Sequence, residues 1–308
     1  MADKYRLVTR SDFDGLVCGA LLKSLDMIDE VKFVHPKDMQ DGKVEVTNRD
    51  ITTNLPYVEG VYLAFDHHIS EMERVGAQDN YITDPDAASC AGVVYEYFGG
   101  EEKFPSIDED MMWAVDKVDS GNFDQTDVLH PEGWVLLSFI MDARTGLGRF
   151  RDFRISNYDL MMTLMDKCVE LSLDEILKLP DVTERTTLYF EQEEKFKEQI
   201  NKCSKVYGNV VVLDLRNEDP IYAGNRFMIY ALYPDQNVSI HIMWGRDKQN
   251  TVFAIGKSIV NLSSNTNIGE LCLKYGGGGH EAAGTCQVDN DKANAVLKEI
   301  AQQIAADG

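Results

Sequence analysis

The sequence has no cysteine pairs at metal-finger spacing, no long apolar run and little positive charge. Its six cysteines (Cys18, Cys90, Cys168, Cys203, Cys272 and Cys286) are scattered, with no Cys-x-x-Cys among them. That argues against a disulfide frame or a zinc site and for buried thiols in a reducing compartment. No apolar stretch approaches the length that spans a bilayer. The opening residues, Met1-Ala2-Asp3-Lys4-Tyr5-Arg6, lack the apolar core of a secretory signal. The expectation is a cytoplasmic protein with no membrane partner. Thirty Lys and Arg against 52 Asp and Glu leave a formal charge of −22. Long duplex nucleic acid is therefore not expected as a partner, because phosphate neutralisation dominates that affinity. A small anionic substrate stays open, since a metal or local cations can reverse the field inside one cleft. Internal repeats and low-complexity linkers are also missing.

What remains is a chain of 308 residues, 44% apolar, long enough for two ordinary cores. In the first half, short apolar strands (5–9, 31–34, 61–65 and 81–83) alternate with helical segments at 15–25 and 87–98. Such alternation predicts a parallel sheet with helices on both faces, and functional residues at the carboxyl ends of its strands. From about 107 to 206 the pattern is mostly helical. The run 184–205 reads as a long connecting helix whose charges form a solvated face. A second alternation begins at 210–213, with strands near 238–244 and 252–259, a glycine turn and a last helix at 291–305. The predicted organisation is a larger α/β domain over 1–180, a helical connector over 181–207 and a smaller domain with a mixed sheet over 208–308.

Three segments carry the chemistry. Asp12-Phe13-Asp14-Gly15 follows the first strand and can turn two carboxylates to one side, with Gly15 permitting the bend; the same residues also suit a simple helix cap. Asp66-His67-His68 ends another strand. Adjacent histidines point in different directions there, so one can bind metal while its neighbour faces substrate, and Asp66 can hold an imidazole tautomer. Paired carboxylates with imidazole suit Mn²⁺ or Mg²⁺, manganese being favoured as nitrogen ligands increase. Asp116 and Asp119, in Asp116-Lys117-Val118-Asp119-Ser120-Gly121, add two acids at a helix end. Gly276-Gly277-Gly278-Gly279-His280 offers backbone N–H groups to an oxyanion. Arg226 and Lys257-Ser258 are further candidate phosphate donors.

Together these segments resemble the DHH/DHHA1 phosphoesterase family, and its exopolyphosphatase-related, nanoRNase-like branch in particular. The resemblance implies a DHH domain followed by a smaller DHHA1 domain. It implies metal ligation by Asp12, Asp14, His67 and Asp119, and contact of His68 with the scissile phosphate, with Asp66 and Arg10 beside it. It further implies substrate binding by Gly277, Gly278, Gly279 and His280, alongside Arg226 and Ser258. Two positions depart from the family pattern. Arg10 stands where a histidine is usual, and Asn54-Leu55-Pro56 replaces a segment that normally supplies a metal-bridging aspartate. Arginine cannot ligate a metal and asparagine is a neutral, weaker ligand. One ion is therefore expected, two being admitted, with the Arg10 guanidinium taking the place of the other. The implied activity is metal-dependent hydrolysis, in a cleft between two domains, of a short oligonucleotide, a nucleotide bisphosphate or polyphosphate. A polyphosphate-specific enzyme and a degenerate member that binds nucleotides or nucleic acid without cleaving them are the alternatives. A homodimer is compatible with this reading.

Overall fold

The computed structural model describes residues 4–308. They form two compact units, one comprising 4–122, 131–143 and 150–187, the other 123–130, 144–149 and 188–308. The division falls inside the long helix Pro180–Cys203. That helix is not solvated on all its charges. Arg185 and Glu184 are buried, the Arg185 guanidinium donating to the Asp181 and Ile155 carbonyls at 2.7 and 2.8 Å and lying over the Phe153 ring. Phe123, Gln125 and Thr145 join the second unit through local bonds and ring contacts. Gln125 Nε2 donates to the Ala231 carbonyl, and the Thr145 carbonyl accepts from Gly224 N–H.

The first unit holds five strands, β1 (Tyr5–Thr9), β2 (Ile28–Phe33), β3 (Asp50–Thr53), β4 (Leu63–Asp66) and β5 (Tyr81–Thr83). All four pairings are parallel, in the order β2-β1-β3-β4-β5. β1 is buried on both faces at Leu7, Val8 and Thr9, as helix-covered parallel strands are. β3, an element not anticipated from the sequence, lies between β1 and β4. All four of its residues, Asp-Ile-Thr-Thr, are buried. Its polar groups survive there because they are paired. Arg6 grips Asp50 in a fork at 2.7 and 2.9 Å, and the Thr53 hydroxyl donates to that of Thr9 at 2.7 Å. The strand order reverses direction between β1 and β3, and the ends of strands flanking such a switch point form a natural crevice.

The helix Phe13–Ser24 follows β1 and is buried from Phe13 to Leu22. It packs against the helices Cys90–Phe98, Glu109–Ser120 and Asn157–Glu170. Gly15 is required at its start, because a Cβ there would stand 2.2 Å from the Arg10 carbonyl oxygen.

In the second unit, six strands run in the order β10-β11-β9-β8-β7-β6: β6 (Ser204–Tyr207), β7 (Val210–Asp214), β8 (Val238–Trp244), β9 (Thr251–Lys257), β10 (Gly278–His280) and β11 (Ala283–Val288). Only β7 and β8 pair in parallel, so the sheet is mixed. One face, with Val210, Val212, Ile240, Ile242, Phe253 and Ile255, forms a core with the helices Ile268–Leu273 and Ala293–Asp307. Among the described residues, no helix is long and apolar enough to cross a membrane.

Candidate active site and metal centre

The first unit brings Asp14, His67 and Asp119 together, with one ligand atom from each within 4.8 Å of the others. Three elements position them. Asp14 lies in the first turn of the helix after β1 and is 2% exposed. Its carboxylate accepts from the backbone N–H of Ala91 at 2.7 Å and of Cys90 at 3.2 Å. Those donors are the free N-terminal amides of the helix Cys90–Phe98, whose own cap is Ser89. A carboxylate at a helix N-terminus satisfies groups that have no partner within the helix. Even so, burial first, and then Asp119 and Asp12, hold the Asp14 carboxyl well above the usual carboxylate range.

Asp119 closes the helix Glu109–Ser120, which Gly121 terminates in a left-handed conformation at φ +67°. Acids in a last turn oppose the helix dipole, yet Asp116 and Asp119 both sit there. Asp116 is held by the Ser89 hydroxyl at 2.6 Å. Asp119 instead faces His67, with its Oδ2 3.0 Å from Nε2.

That contact bears on the metal. His67 Nδ1 lies 3.2 Å from the Ala87 carbonyl oxygen, an acceptor that assigns the proton to Nδ1 and leaves a lone pair on Nε2. Asp119 Oδ2 is thus the ion-pair partner of the buried Nε2, without a well-directed hydrogen bond between them. With the ring neutral, two lone pairs this close repel, and a divalent cation removes the conflict. Two carboxylates and an imidazole are also a donor set suited to Mn²⁺ or Mg²⁺. The residues present therefore fit a divalent ion. A proton competes for the same place. Burial alone would depress the His67 imidazole, but Asp119, Asp14 and the Ala87 carbonyl outweigh it and carry it up to about 9. The proton answers the charge but not the direction, because on Nε2 it would stand off the line to Oδ2.

Asp12 is not in this cluster. Its Oδ1 caps the following helix by accepting from Gly15 N–H at 3.0 Å, and its Oδ2 lies 2.9 Å from Arg10 Nε. The same guanidinium donates from Nη1 to Asn54 Oδ1 at 3.4 Å. The two residues that depart from the family pattern thus meet, joined through Arg10. Asn54 is buried in a left-handed conformation, and its Nδ2 has no partner.

His68 stands half-exposed beside His67, the two rings edge-on with centroids 4.5 Å apart. Asp66 fixes it. The buried Oδ1 accepts from His68 Nδ1 at 2.7 Å and from the His67 and His68 backbone N–H at 2.9 and 3.4 Å. Oδ2 accepts from the Tyr81 hydroxyl at 3.2 Å, and burial together with Asp66 raises that phenol's pKa. Sequence reasoning missed Tyr81, Ser89 and the amides of Cys90 and Ala91. The signal for the last three was the run Asp86-Ala87-Ala88-Ser89-Cys90-Ala91, a helix-capping serine among small residues.

The other candidates lie in the second unit. Gly277 to His280 form no open turn, since Gly278–His280 is edge strand β10, paired with β11. A Cβ on Gly277 would stand 2.0 Å from the Thr285 carbonyl oxygen, and one on Gly279 2.2 Å from that of Ala283. Close packing therefore accounts for these two glycines. His280 is exposed, its Nδ1 accepting from Ala282 N–H. The Ser258 hydroxyl oxygen accepts from the Val260 and Asn261 N–H groups, and Arg226 lies over the Phe227 ring.

Among solved structures, the pGpG-specific phosphodiesterase PggH from Vibrio cholerae is 61% identical over 99% of this chain and all of its own, with a TM-score of 0.89. The chain belongs to the DHH/DHHA1 phosphoesterase family. Solved structures far lower in identity share the fold. The exonuclease RecJ from Thermus thermophilus, in complex with Mn²⁺, has a TM-score of 0.53 at 13% identity, over 98% of this chain and 52% of its own. CDC45 from Entamoeba histolytica has 0.53 at 9%, over 98% and 95%. No family model and no curated protein matches the chain. As a DHH/DHHA1 protein it has the expected architecture, a parallel five-stranded sheet and a separate mixed six-stranded one.

Proposed function

We propose that this chain is a metal-dependent phosphodiesterase that hydrolyses short linear dinucleotides, pGpG foremost. The observation that carries the reading is the convergence of Asp14, His67 and Asp119, two carboxylates and an imidazole from three separate elements, with ligand atoms within 4.8 Å of one another. The identity to PggH, whose substrate is pGpG, supports the choice of substrate.

Asp14, His67 and Asp119 would hold one ion, Mn²⁺ or Mg²⁺, which when bound would supply an acidified water and charge neutralisation at phosphorus. Arg10, anchored on Asp12 and Asn54, adds a permanent positive charge that stabilises phosphoryl oxygens as they gain charge. His68, oriented by Asp66, would face the phosphate through Nε2. Absence of a strongly basic surface accords with a dinucleotide more than with long nucleic acid.

The test is a product assay with Mn²⁺ over pGpG, pApA, a nucleoside 3′,5′-bisphosphate and polyphosphate. Cleavage of pGpG to GMP at the highest kcat/KM is expected. Turnover of polyphosphate alone would replace the proposal with a polyphosphatase. Tight pGpG binding without turnover would make the chain a binding protein.

A further inference from the structure

The first unit builds a second group of ligating side chains beside the metal cluster, from residues that no sequence spacing connects. Cys18 follows Asp14 by four residues on the helix Phe13–Ser24, so the two share one face. Cys90 opens the helix Cys90–Phe98, whose first amides hold the Asp14 carboxylate. Asp14, Cys18 and Cys90 each bring one ligand atom within 4.8 Å of the other two, and all three are buried. Cys18 Sγ lies 4.0 Å from Asp14 Oδ1. Cys90 Sγ donates to the Phe65 carbonyl oxygen at 3.2 Å, which puts a further oxygen beside the group. Asp14 is thus common to this group and to the cluster with His67 and Asp119.

Ligand chemistry separates the two groups. Two carboxylates and an imidazole suit Mn²⁺ or Mg²⁺, whereas soft thiolates select Zn²⁺ and its heavier congener Cd²⁺. Bonds of about 2.3 Å to sulfur and about 2.1 Å to oxygen place neighbouring ligands of a tetrahedral ion roughly 3.6–3.8 Å apart. The 4.0 Å between Cys18 Sγ and Asp14 Oδ1 therefore closes on one ion with only a small shift.

We propose that Asp14, Cys18 and Cys90 form a second, thiophilic metal site, whose occupant, Zn²⁺ or Cd²⁺, takes Asp14 from the cluster with His67 and Asp119 and so inhibits the enzyme. Binding releases the two thiol protons to solvent and leaves both sulfurs as thiolate ligands. The site itself is independent of the substrate reading; only its inhibitory effect rests on the phosphodiesterase activity proposed above.

Cd²⁺ titration of the full chain, kept reduced by a phosphine, tests the site through the ultraviolet thiolate-to-Cd²⁺ charge-transfer band, which oxygen and nitrogen ligands do not give. Part of that band should be lost in Cys18→Ser and in Cys18→Ala, with Cys168, Cys203, Cys272 and Cys286 left in place as the background. In Mn²⁺-supported cleavage of pGpG, both variants should keep kcat within about twofold, yet need about tenfold more Zn²⁺ for half-inhibition. An undiminished band in either folded variant overturns the site, and a band lost with Zn²⁺ inhibition unchanged overturns the inhibitory role. If the wild-type chain does not cleave pGpG, the phosphodiesterase reading fails separately, and the band alone decides the site.

Discussion

Replacing Asp66 by Asn separates the positioning of His68 from the holding of metal. The buried carboxylate accepts four hydrogen bonds, at 2.7, 2.9, 3.2 and 3.4 Å, and none of them involves Asp14, Asp119 or the ring of His67. An Asn of the same shape keeps its carbonyl toward His68 Nδ1 and the two backbone amides. Its Nδ2 then meets the Tyr81 oxygen, which can turn to accept. What is lost is the charge. Charge-assisted bonds are roughly twice as strong as neutral ones, so the two short bonds should cost about 1 kcal/mol each, about 2 kcal/mol in all. For a unit of this size that lowers Tm by roughly 5 °C. The ring of His68 loses the carboxylate that orients it, and kcat should fall about 10- to 100-fold, as with other residues that orient a site. Differential scanning fluorimetry, pGpG kinetics and calorimetric Mn²⁺ titration read the three effects. Mn²⁺ affinity should stay within about threefold, because the backbone of His67 keeps its acceptor. Full kcat in the folded variant, or Mn²⁺ affinity falling in step with kcat, would refute the assignment of Asp66 to His68.

Three further perturbations test the metal centre and the glycine edge. With the folded His67 pKa at about 9 against about 6.5 unfolded, metal-free stability from this group is complete below about pH 6.5 and lost as pH rises through about 9. Because the ion must displace that proton, Mn²⁺ affinity should climb up to tenfold per pH unit below about 9 and level off above it. Calorimetry at several pH values checks this, and a pH-independent Kd would show that His67 is not a ligand. Arg10→His combined with Asn54→Asp should raise bound Mn²⁺ from about one to two ions per chain by elemental analysis, since both restore ligands. Two tightly bound ions in the wild type, or one in the double variant, would end the idea that Arg10 replaces a cation. Gly269→Ala places a methyl 2.7 Å from the Gly279 carbonyl oxygen and should destabilise the second unit by about 2 kcal/mol in guanidinium unfolding. Wild-type stability would mean that the Gly278–His280 strand yields freely to the helix behind it.

The elements legible in the sequence were those whose cause is local. β8 shows as Val238 to Trp244 because its alternation and β-branched residues lie on consecutive positions. β3 was invisible because Asp50, Thr52 and Thr53 look like loop residues. They tolerate burial only through Arg6 and Thr9, more than 40 residues earlier, and no window on the chain contains both. β6, an exposed edge strand at Ser204–Tyr207, was absorbed into the charged helical run before it, since its pairing with β7 leaves no local mark.

The same distinction runs through the site. Asp66, His67 and His68 were readable because one strand end presents all three. The pair Asp12 and Asp14 was readable as a pair, but which of the two faces His67 was not. Asp12 sits at the cap, where its carboxylate turns to Gly15 N–H and Arg10, while Asp14, two residues on, enters the helix and points at the amides of Cys90 and Ala91. That choice follows from where another helix begins. It also explains why Arg10 is tolerated. A guanidinium tied to the capping carboxylate leaves Asp14, His67 and Asp119 untouched, so the substitution alters the charge beside the cluster without removing a member of it. If so, loss of Arg10 alone should change how phosphate is stabilised more than whether one ion is held, and the two effects are separable by comparing kcat with Mn²⁺ affinity in Arg10→Ala.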